Sequence, residues 1–328
     1  MTVYYRPIPQ ELGGCWSLAG GWVRFSQVER LERGRAPAIT DQIPEDVLTR
    51  LTAPRASLMG LGMDRPRIMG IVNATPDSFS DGGSYAPLAQ GQALIAAGAD
   101  ILDIGGESTR PGALEVPVQD EIDRISAVVA GLSDRIPISV DTRKAAVARA
   151  GIGLGAAMIN DVSGFDFDPD LPDVVAAARL PVCLMHAQGL PDSMQDDPRY
   201  DDVVLDVYDA LEARITRAEQ AGIPRSQIVI DPGIGFGKTQ THNLAILRRL
   251  SLYHGLGCPI LLGVSRKRFI GNIGKAGHAP DRMPGTLALT LAAVAQGAQI
   301  HRVHDVAAIR QGLRLWQAVK DNEGAEEE

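Results

Sequence analysis

Short apolar runs alternate with amphipathic helical stretches along most of the chain, beginning near Arg67. Each run is bounded by glycine, proline or polar residues, which is the pattern of a strand buried in a parallel sheet. The eight runs are 67–72, 101–104, 138–140, 158–160, 182–186, 228–231, 260–263 and 300–302. Between runs, apolar residues recur at helical spacing, as in Val204, Val207, Leu211, Ile215 and Ala218, and again in Val306, Ile309, Leu313 and Trp316.

Eight strands that each lead into a helix predict an α/β fold of the (β/α)8 type, a TIM barrel, over residues 65–321. Residues 1–64 do not follow the alternation and carry Trp16, Trp22 and Phe25, so we expect an N-terminal extension packed on the barrel. Residues 322–328 are rich in glutamate, which predicts a disordered acidic tail.

Composition limits the classes of function. The net charge of -8 argues against a nucleic-acid partner, because such proteins carry a basic stripe. Three cysteines without a CxxC pair predict neither a disulfide framework nor a zinc site and favour the cytoplasm. The longest apolar helical stretch, around 286–298, is too short for a bilayer, so we expect no membrane association.

Polar residues follow the predicted strands at their carboxyl ends. In a parallel barrel these ends share one mouth, so the side chains should converge on one ligand. A single such residue is explained as well by helix capping, as Asp141 and Asp305 illustrate. The full set is Asn73, Asp103, Asp141, Asn160, His186, Asp231, Ser265, Lys267, Arg302 and His304.

Three of these residues predict the shape of the ligand. Asp141, Asn160 and Asp231 would place acceptors in the barrel's middle, where they need a donor-rich partner. A flat heterocycle with adjacent ring N–H and amino groups would satisfy them. The alternative for Asp231 is a buried ion pair with Lys267, and both arrangements can hold in the empty protein.

Two further features surround this predicted ring site. Phe236 and Met185 would form its walls, although apolar residues here serve as core filling at least as often. Arg302 and His304 alternate onto one side of the last strand, beside the next helix, which predicts a phosphate or pyrophosphate site. A metal site formed by His301, His304 and Asp305 is disfavoured, because neighbours of alternating direction cannot all face one ion.

The segment 232–239 ends in Gly-Lys-Thr, like a nucleotide-binding P-loop. The spacing fails, because Pro232 occupies the position of the first glycine and Gly233 comes one residue too late. A P-loop NTPase is therefore a poor alternative.

Taken together, the motifs closely resemble the dihydropteroate synthase family over roughly residues 67–320. The resemblance is carried by the segments 73–83 (NATPDSFSDGG), 105–112 (GGESTRPG), 140–142 (VDT), 159–161 (IND), 184–186 (LMH), 231–238 (DPGIGFGK), 265–267 (SRK) and 302–305 (RVHD). It implies an enzyme that joins dihydropterin methyl diphosphate to 4-aminobenzoate, releases pyrophosphate and is inhibited by sulfonamides. A homodimer is also implied.

The resemblance also implies roles for single residues. Asp141, Asn160, Asp231 and Lys267 would bind the pterin, with Met185, Phe236 and Gly263 lining its slot. Asn73, Arg302 and His304 would bind the diphosphate, Asn73 also ligating Mg²⁺, while Thr109 contacts substrate. Phe79, Pro111 and Lys267 would frame 4-aminobenzoate, whose carboxylate would rest near Arg268, on its side chain or its backbone N–H.

A dissociative reaction is the expected chemistry, because pyrophosphate leaves readily once its charge is matched and the aniline nitrogen is a weak nucleophile. Asp81 would face the cationic centre and Arg110 would order the closed loop, unless the two simply pair with each other. A pterin-dependent methyltransferase would lack the combined anion sites at 265–267 and 302–304. A catalytically silent pterin-binding module would need a broken loop or a missing anion residue, and the sequence contains neither.

Overall fold

The computed structural model describes residues 2–10, 13–75, 85–108, 114–189 and 197–321. Its N-terminal part is a small, mostly antiparallel unit. Strands β1, β4 and β5 form one sheet in the order β1-β4-β5, and β2 pairs with β3. The elements are β1 (Tyr4–Pro7), β2 (Trp16–Ser17), β3 (Arg24–Phe25), β4 (Val28–Leu31), β5 (Ala38–Thr40) and helix α1 (Glu45–Thr52).

The eight strands that follow form the parallel barrel that the sequence predicts. They are β6 (Arg67–Asn73), β7 (Ile101–Gly105), β8 (Ile138–Asp141), β9 (Met158–Asp161), β10 (Val182–Met185), β11 (Ile228–Asp231), β12 (Leu261–Leu262) and β13 (Ile300–Val303). Neighbours in sequence are neighbours in the sheet, and β13 pairs with β6. A parallel bridge between Ile230 and Ile260 joins the two ends of the sheet, so the barrel is closed.

The predicted strand ends lie within one residue of the observed ones, with identical bounds at β11. The predicted runs are one residue too short at β6, β7, β8, β9 and β13, and too long at β10 and β12. β12 is shorter than the predicted 260–263, because Ile260 makes only the isolated bridge to Ile230 and Gly263 lies beyond the ladder. β10 ends at Met185, one residue before His186.

Helices surround the barrel. They are α2 (Tyr85–Ala96), α3 (Val118–Leu132), α4 (Ala145–Gly153), α5 (Leu171–Ala178), α6 (Val203–Gln220), α7 (Gln240–Arg248), α8 (Arg268–Gly274), α9 (Met283–Val294) and α10 (Val306–Asp321), with short 3-10 turns at 18–20, 225–227, 250–256 and 280–282. Local sequence fixes several starts: the Asp202 carboxylate accepts from the backbone N–H groups of Val204 and Leu205 at the start of α6. Within the described ranges, no helix combines the length and apolar character needed to cross a membrane.

The extension packs against the side and floor of the barrel. The Tyr4 hydroxyl lies 2.9 Å from both carboxylate oxygens of Asp209 on α6, and the Trp22 indole donates to the Val294 carbonyl at 2.8 Å. Leu58 and Met63 enter the apolar cluster at the amino ends of the strands. The barrel interior is therefore sealed at one end by residues that precede it in sequence.

Two layers fill the barrel interior, because strand side chains alternate in direction. The lower layer is apolar and fully buried, formed by Met69, Ile101, Met158, Cys183, Val229, Leu261 and Ile300. Two residues further along the same strands lie Ile71, Asp103, Asn160, Met185, Asp231, Gly263 and Arg302. Four of these seven residues are polar or charged, so polar groups enter the interior within one step of the pleat.

Candidate active site

Arg302 on β13 reaches across the mouth of the barrel to two carboxylates. Its Nε lies 2.5 Å from Asp103 Oδ2 on β7, and its terminal NH2 nitrogen lies 2.7 Å from Asp141 Oδ2 on β8. Asn160 on β9 donates to the same Asp103 oxygen at 3.1 Å. Four neighbouring or facing strands therefore bring these side chains into one hydrogen-bonded cluster.

The charges in this cluster perturb one another. Burial raises the pKa of Asp141 to about 8, although Arg302 opposes the rise. Burial alone would lower the pKa of Arg302, but Asp103 and Asp141 more than offset it, so the pKa is raised and the guanidinium stays charged. Perturbed carboxylates at a concave strand end are typical of a ligand-binding or catalytic site.

Two carboxylate oxygens at the mouth lack a partner. Asp103 Oδ1 and Asp141 Oδ1 are both buried without a hydrogen bond in the described structure. An unsatisfied buried acceptor costs about 1–3 kcal/mol, so a ligand that donates two adjacent N–H groups would gain that energy on binding.

Asp231 on β11 lies at the same level. Its Oδ1 accepts from the Gly233 backbone N–H at 2.7 Å, and burial raises the pKa of this carboxyl, opposed in part by Gly233 and Lys267. A Cβ added at Gly263 would meet only Asp231 Oδ2, at 3.7 Å. Glycine at this position therefore leaves a space beside the carboxylate, consistent with the slot expected there.

Lys267 and Phe236 form one wall of this space. The Lys267 ammonium lies 4.1 Å from the centroid of the Phe236 ring, a cation–π contact between the loops after β12 and β11. Met185, at the end of β10, is buried on the same side as Asp231, with which it is in register.

His304 is held by the loop after β12. The Ser265 hydroxyl lies 2.8 Å from His304 Nδ1 and also accepts from the His304 backbone N–H at 3.1 Å. Arg266 instead forms an ion pair with Asp305. His301 lies on the opposite face of β13, buried against the Ala298 carbonyl.

The sequence disfavours a metal trio of His301, His304 and Asp305, and in the structure these side chains have separate partners: the Ala298 carbonyl, Ser265 and Arg266. In the described parts of the chain, no group of three or more His, Cys, Asp or Glu side chains could hold a metal ion. Asn73 ends β6, in register with Gly105 of β7. The remaining predicted site residues, Phe79, Asp81, Thr109, Arg110 and Pro111, lie outside the described residues.

Two features of the site were not assigned from sequence. The sequence places Asp103 near a strand end without indicating a role, although its position two residues after Ile101 marks it as inward-facing like Asp141. His186, also on the strand-end list, turns away from the mouth and contacts the Lys238 ammonium through Nδ1 at 2.9 Å. Cys183 and Met185 face the barrel interior, so alternation along the chain turns the next residue, His186, the other way.

The loop after β7 begins and ends in a buried charge network that the sequence also did not predict. The Lys144 ammonium contacts Glu107 Oε2 at 2.6 Å, Glu121 Oε2 at 2.8 Å and the Val116 carbonyl at 2.5 Å. These contacts fix the two described ends of this loop against α3 and α4. The sequence shows only that Lys144 follows the end of β8 by three residues, which does not identify its carboxylate partners.

Comparison with known proteins agrees with this geometry. The family model described as pterin binding enzyme matches residues 69–304. The chain belongs to this family of pterin-binding enzymes.

The similar proteins narrow the assignment to the dihydropteroate synthases. The chain is 44% identical over 264 residues to the dihydropteroate synthase of Escherichia coli strain K12, covering 79% of this chain and 93% of the relative. A solved structure of the Xanthomonas albilineans enzyme with 4-aminobenzoic acid has a TM-score of 0.77 and 48% identity, covering 81% of this chain and 98% of that one. A Yersinia pestis dihydropteroate synthase complex with a sulfonamide drug has a TM-score of 0.76 and 42% identity, covering 81% and 99%. About a fifth of this chain lies outside each of these matches.

Proposed function

We propose that this protein is a transferase of folate biosynthesis that joins (7,8-dihydropterin-6-yl)methyl diphosphate to 4-aminobenzoate, giving 7,8-dihydropteroate and pyrophosphate. The observation that carries the proposal is the convergence of Asp103, Asp141, Asn160 and Asp231 on one mouth, two of them with unpaired oxygens. The similar proteins support the same reaction by name, and one was solved with 4-aminobenzoic acid.

The pterin ring binds between these acceptors. Its amino and ring N–H groups donate to Asp231 and to the partnerless oxygen of Asp141, and Asn160 binds the mixed donor and acceptor edge. The ring fills the space at Gly263 and lies against Phe236 and Met185. Replacing water by fixed donors and acceptors gives specificity for the pterin, because an analogue lacking those groups would leave buried carboxylates unpaired.

The diphosphate lies beside the ring, toward β13. A guanidinium has five N–H donors, and Arg302 uses two nitrogens for Asp103 and Asp141, so further N–H groups of Arg302 are directed to the leaving group. His304, oriented by Ser265, supplies a second donor. These donors stabilise the charge that develops on pyrophosphate as it departs.

In the proposed reaction the C–O bond to pyrophosphate breaks before the amine of 4-aminobenzoate attacks. The electron pair of the C–O bond goes to pyrophosphate, and the positive charge left on the exocyclic methylene is spread into the electron-rich ring. The 4-aminobenzoate nitrogen then forms the C–N bond and loses a proton. In this proposal Phe79, Pro111 and Lys267 would frame the acceptor, whose carboxylate would rest near Arg268, and Thr109 would contact substrate. Asp81 would face the cation and Arg110 would order the closed loop.

Mg²⁺ is part of the proposal. A site with few protein ligands suits this ion, because Mg²⁺ keeps several waters and binds through substrate phosphates and one or two protein oxygens. The Asn73 carboxamide, at the end of β6, is the hard oxygen ligand offered here. When bound, the ion would neutralise part of the diphosphate charge.

We further propose that the protein acts as a homodimer in the cytoplasm. Helix α9 contains no charged residue, and its outward positions Pro284, Ala288 and Ala292 are exposed. On the adjacent α10, Leu315 and Val319 are 64% and 83% exposed. An apolar outer face of this kind fits a subunit interface, and the three free cysteines fit a reducing compartment.

The test of the activity is direct. Incubation with the pterin diphosphate, 4-aminobenzoate and Mg²⁺ should release dihydropteroate and pyrophosphate in equal amounts, and a sulfonamide should compete with 4-aminobenzoate. Pyrophosphate release that does not depend on 4-aminobenzoate would contradict the transfer reaction. Light scattering after size exclusion tests the dimer, and a monomer at micromolar concentration would exclude it.

A further inference from the structure

Lys238 is a buried lysine without a carboxylate partner. Its side chain belongs to the Gly-Lys-Thr sequence that resembles a phosphate-binding loop, yet the residue is only 3% exposed. In the part of the chain that the structure describes, the hydrogen-bond partners of its ammonium are one imidazole nitrogen and three backbone carbonyls, and none is a carboxylate. Burial accordingly lowers the pKa of Lys238, although the charge of Asp231 opposes the shift.

Four acceptors surround the Lys238 ammonium. They are His186 Nδ1 at 2.9 Å, the Gly233 carbonyl at 2.9 Å, the Phe236 carbonyl at 3.0 Å and the His186 carbonyl at 3.2 Å. Burial and the nearby Lys238 lower the pKa of His186 to about 2, so the imidazole is neutral and accepts at Nδ1. The three N–H donors of an ammonium suffice for the three nearest acceptors, His186 Nδ1 and the Gly233 and Phe236 carbonyls, whereas a planar guanidinium lacks this geometry.

The segment 231–238 lies in backbone contact with the segment after β10. Gly233 and Gly237 have φ of 67° and 60°, and a Cβ on them would stand 1.9 Å from the His186 carbonyl oxygen and 2.3 Å from the Gln188 carbonyl oxygen. Only glycine permits this approach. Lys238 then joins the two segments by hydrogen bonds.

The same segment forms part of the pterin slot. Gly233 donates to Asp231 at one end of the turn, and the Phe236 ring lies under the Lys267 ammonium at 4.1 Å. Lys238 binds the carbonyls of both Gly233 and Phe236, the two residues through which this segment contacts Asp231 and Lys267.

We propose that Lys238 is a positioning residue of the active site, whose ammonium fixes Phe236 beneath Lys267 by joining the loop after β11 to His186. The proposal rests on the proposed function, since it assumes that the slot binds a pterin. It assigns the Gly-Lys-Thr sequence to the support of a ring site and not to phosphate binding.

The first experiment replaces the ammonium with an apolar chain of similar length. In Lys238→Met we expect the dissociation constant of 6-hydroxymethylpterin, measured by calorimetry, to rise at least tenfold, and KM for the pterin diphosphate to rise with it. The matched control is Tyr200→Phe, which removes the 2.8 Å hydrogen bond from the Tyr200 hydroxyl to the Gly237 carbonyl in the same loop. We expect the control to lose stability but keep its pterin affinity within twofold.

A double-mutant cycle separates positioning from general stability. If Lys238 acts through the ring, Lys238→Met should weaken pterin binding less than threefold in a Phe236→Leu background, while its effect on the urea midpoint persists. Equal fold-changes in both backgrounds would overturn the proposal, as would a Tyr200→Phe variant that loses as much affinity as Lys238→Met.

A second pair of variants serves if Lys238→Met does not fold. His186→Gln keeps an acceptor for the ammonium and should retain pterin affinity within threefold, whereas His186→Leu removes the acceptor and should lose more than fivefold. Equal affinities for the two would also overturn the proposal. If the wild-type protein binds no pterin, the proposed function fails; if the wild type binds but Lys238→Met binds equally well, only this inference fails.

Discussion

The two ends of the barrel interior differ in chemical character: the floor is apolar and the mouth is charged. At the floor, Met69, Ile101 and Ile300 pack with Leu58 and Met63 of the extension, and every one of these side chains is buried and apolar. At the mouth, one pleat further along, carboxylates are held by Arg302 and two of their oxygens remain unpaired. The floor is organised for stability, whereas the mouth retains unsatisfied polar groups that a ligand can use.

Arg302→Ala should have the largest effect, because it removes the only cation that contacts both Asp103 and Asp141 in the described structure. Leaving buried carboxylates without a partner should cost about 3 kcal/mol of unfolding free energy, and turnover should fall with the loss of a pyrophosphate ligand. Urea unfolding and steady-state kinetics measure the two effects. Arg302→Lys is the control, and kinetics unchanged in Arg302→Ala would refute the assignment.

Asp231→Ala should have the second-largest effect. It removes the carboxylate beside Gly263, so we expect pterin affinity to fall at least a hundredfold, equivalent to about 2.8 kcal/mol. Stability should change little or rise, because a buried carboxyl with a raised pKa is removed. Calorimetry with 6-hydroxymethylpterin gives the affinity, and wild-type affinity in this variant would contradict the proposed slot.

Met63→Ala tests the floor. Truncating this buried side chain should lower the unfolding free energy by about 2 kcal/mol, while kcat/KM at 25 °C stays within twofold, since the floor does not contact substrate. Chemical denaturation and kinetics on one preparation suffice. A large change in kcat/KM without a change in stability would show that the two ends of the barrel are not separable.

The pH dependence of pterin binding should give the smallest effect. With a pKa of about 8 in the empty protein, Asp141 must lose a proton before it accepts from the ligand, so affinity should rise about fivefold from pH 7 to pH 8. Calorimetry in buffers of different ionisation enthalpy detects the released proton. An Asp141→Asn variant should lose this dependence, and a wild-type affinity that is flat over the range would rule out the linkage.

The pH dependence of folding stability has the opposite sign to the pH dependence of pterin affinity. The folded pKa of Asp141 lies above its value in the unfolded chain, so its protonated form favours the folded state at acid pH. That contribution should be lost as pH rises through about 8 in the ligand-free protein.

Alternation along the strands made much of the fold predictable. All eight barrel strands lie where apolar runs end in polar residues, and Asp141, Asn160, Asp231 and Arg302 follow from the period of two. The same rule points to Asp103, two residues after the inward-facing Ile101, for which the sequence alone indicated no role. The division at residues 64 and 65, and the acidic tail, stay predictions.

Other features depend on contacts that no local pattern encodes. Lys238 and His186 meet only because two loops touch through glycines, and the P-loop-like sequence gave no hint of a buried lysine. The short β12 depends on how the barrel closes at Ile260. The bonds that join the extension to α6 and α9 link residues more than 200 positions apart, beyond the range of sequence periodicity.

The contribution of Leu58 and Met63 has a practical consequence for anyone who shortens this chain to residues 69–304, the part that the family model matches. A fragment that begins after Met63 would expose the apolar floor of the barrel to solvent. We expect such a fragment to aggregate during purification. A low yield of this fragment would reflect the loss of Leu58 and Met63 from the floor and would not bear on the residues of the active site.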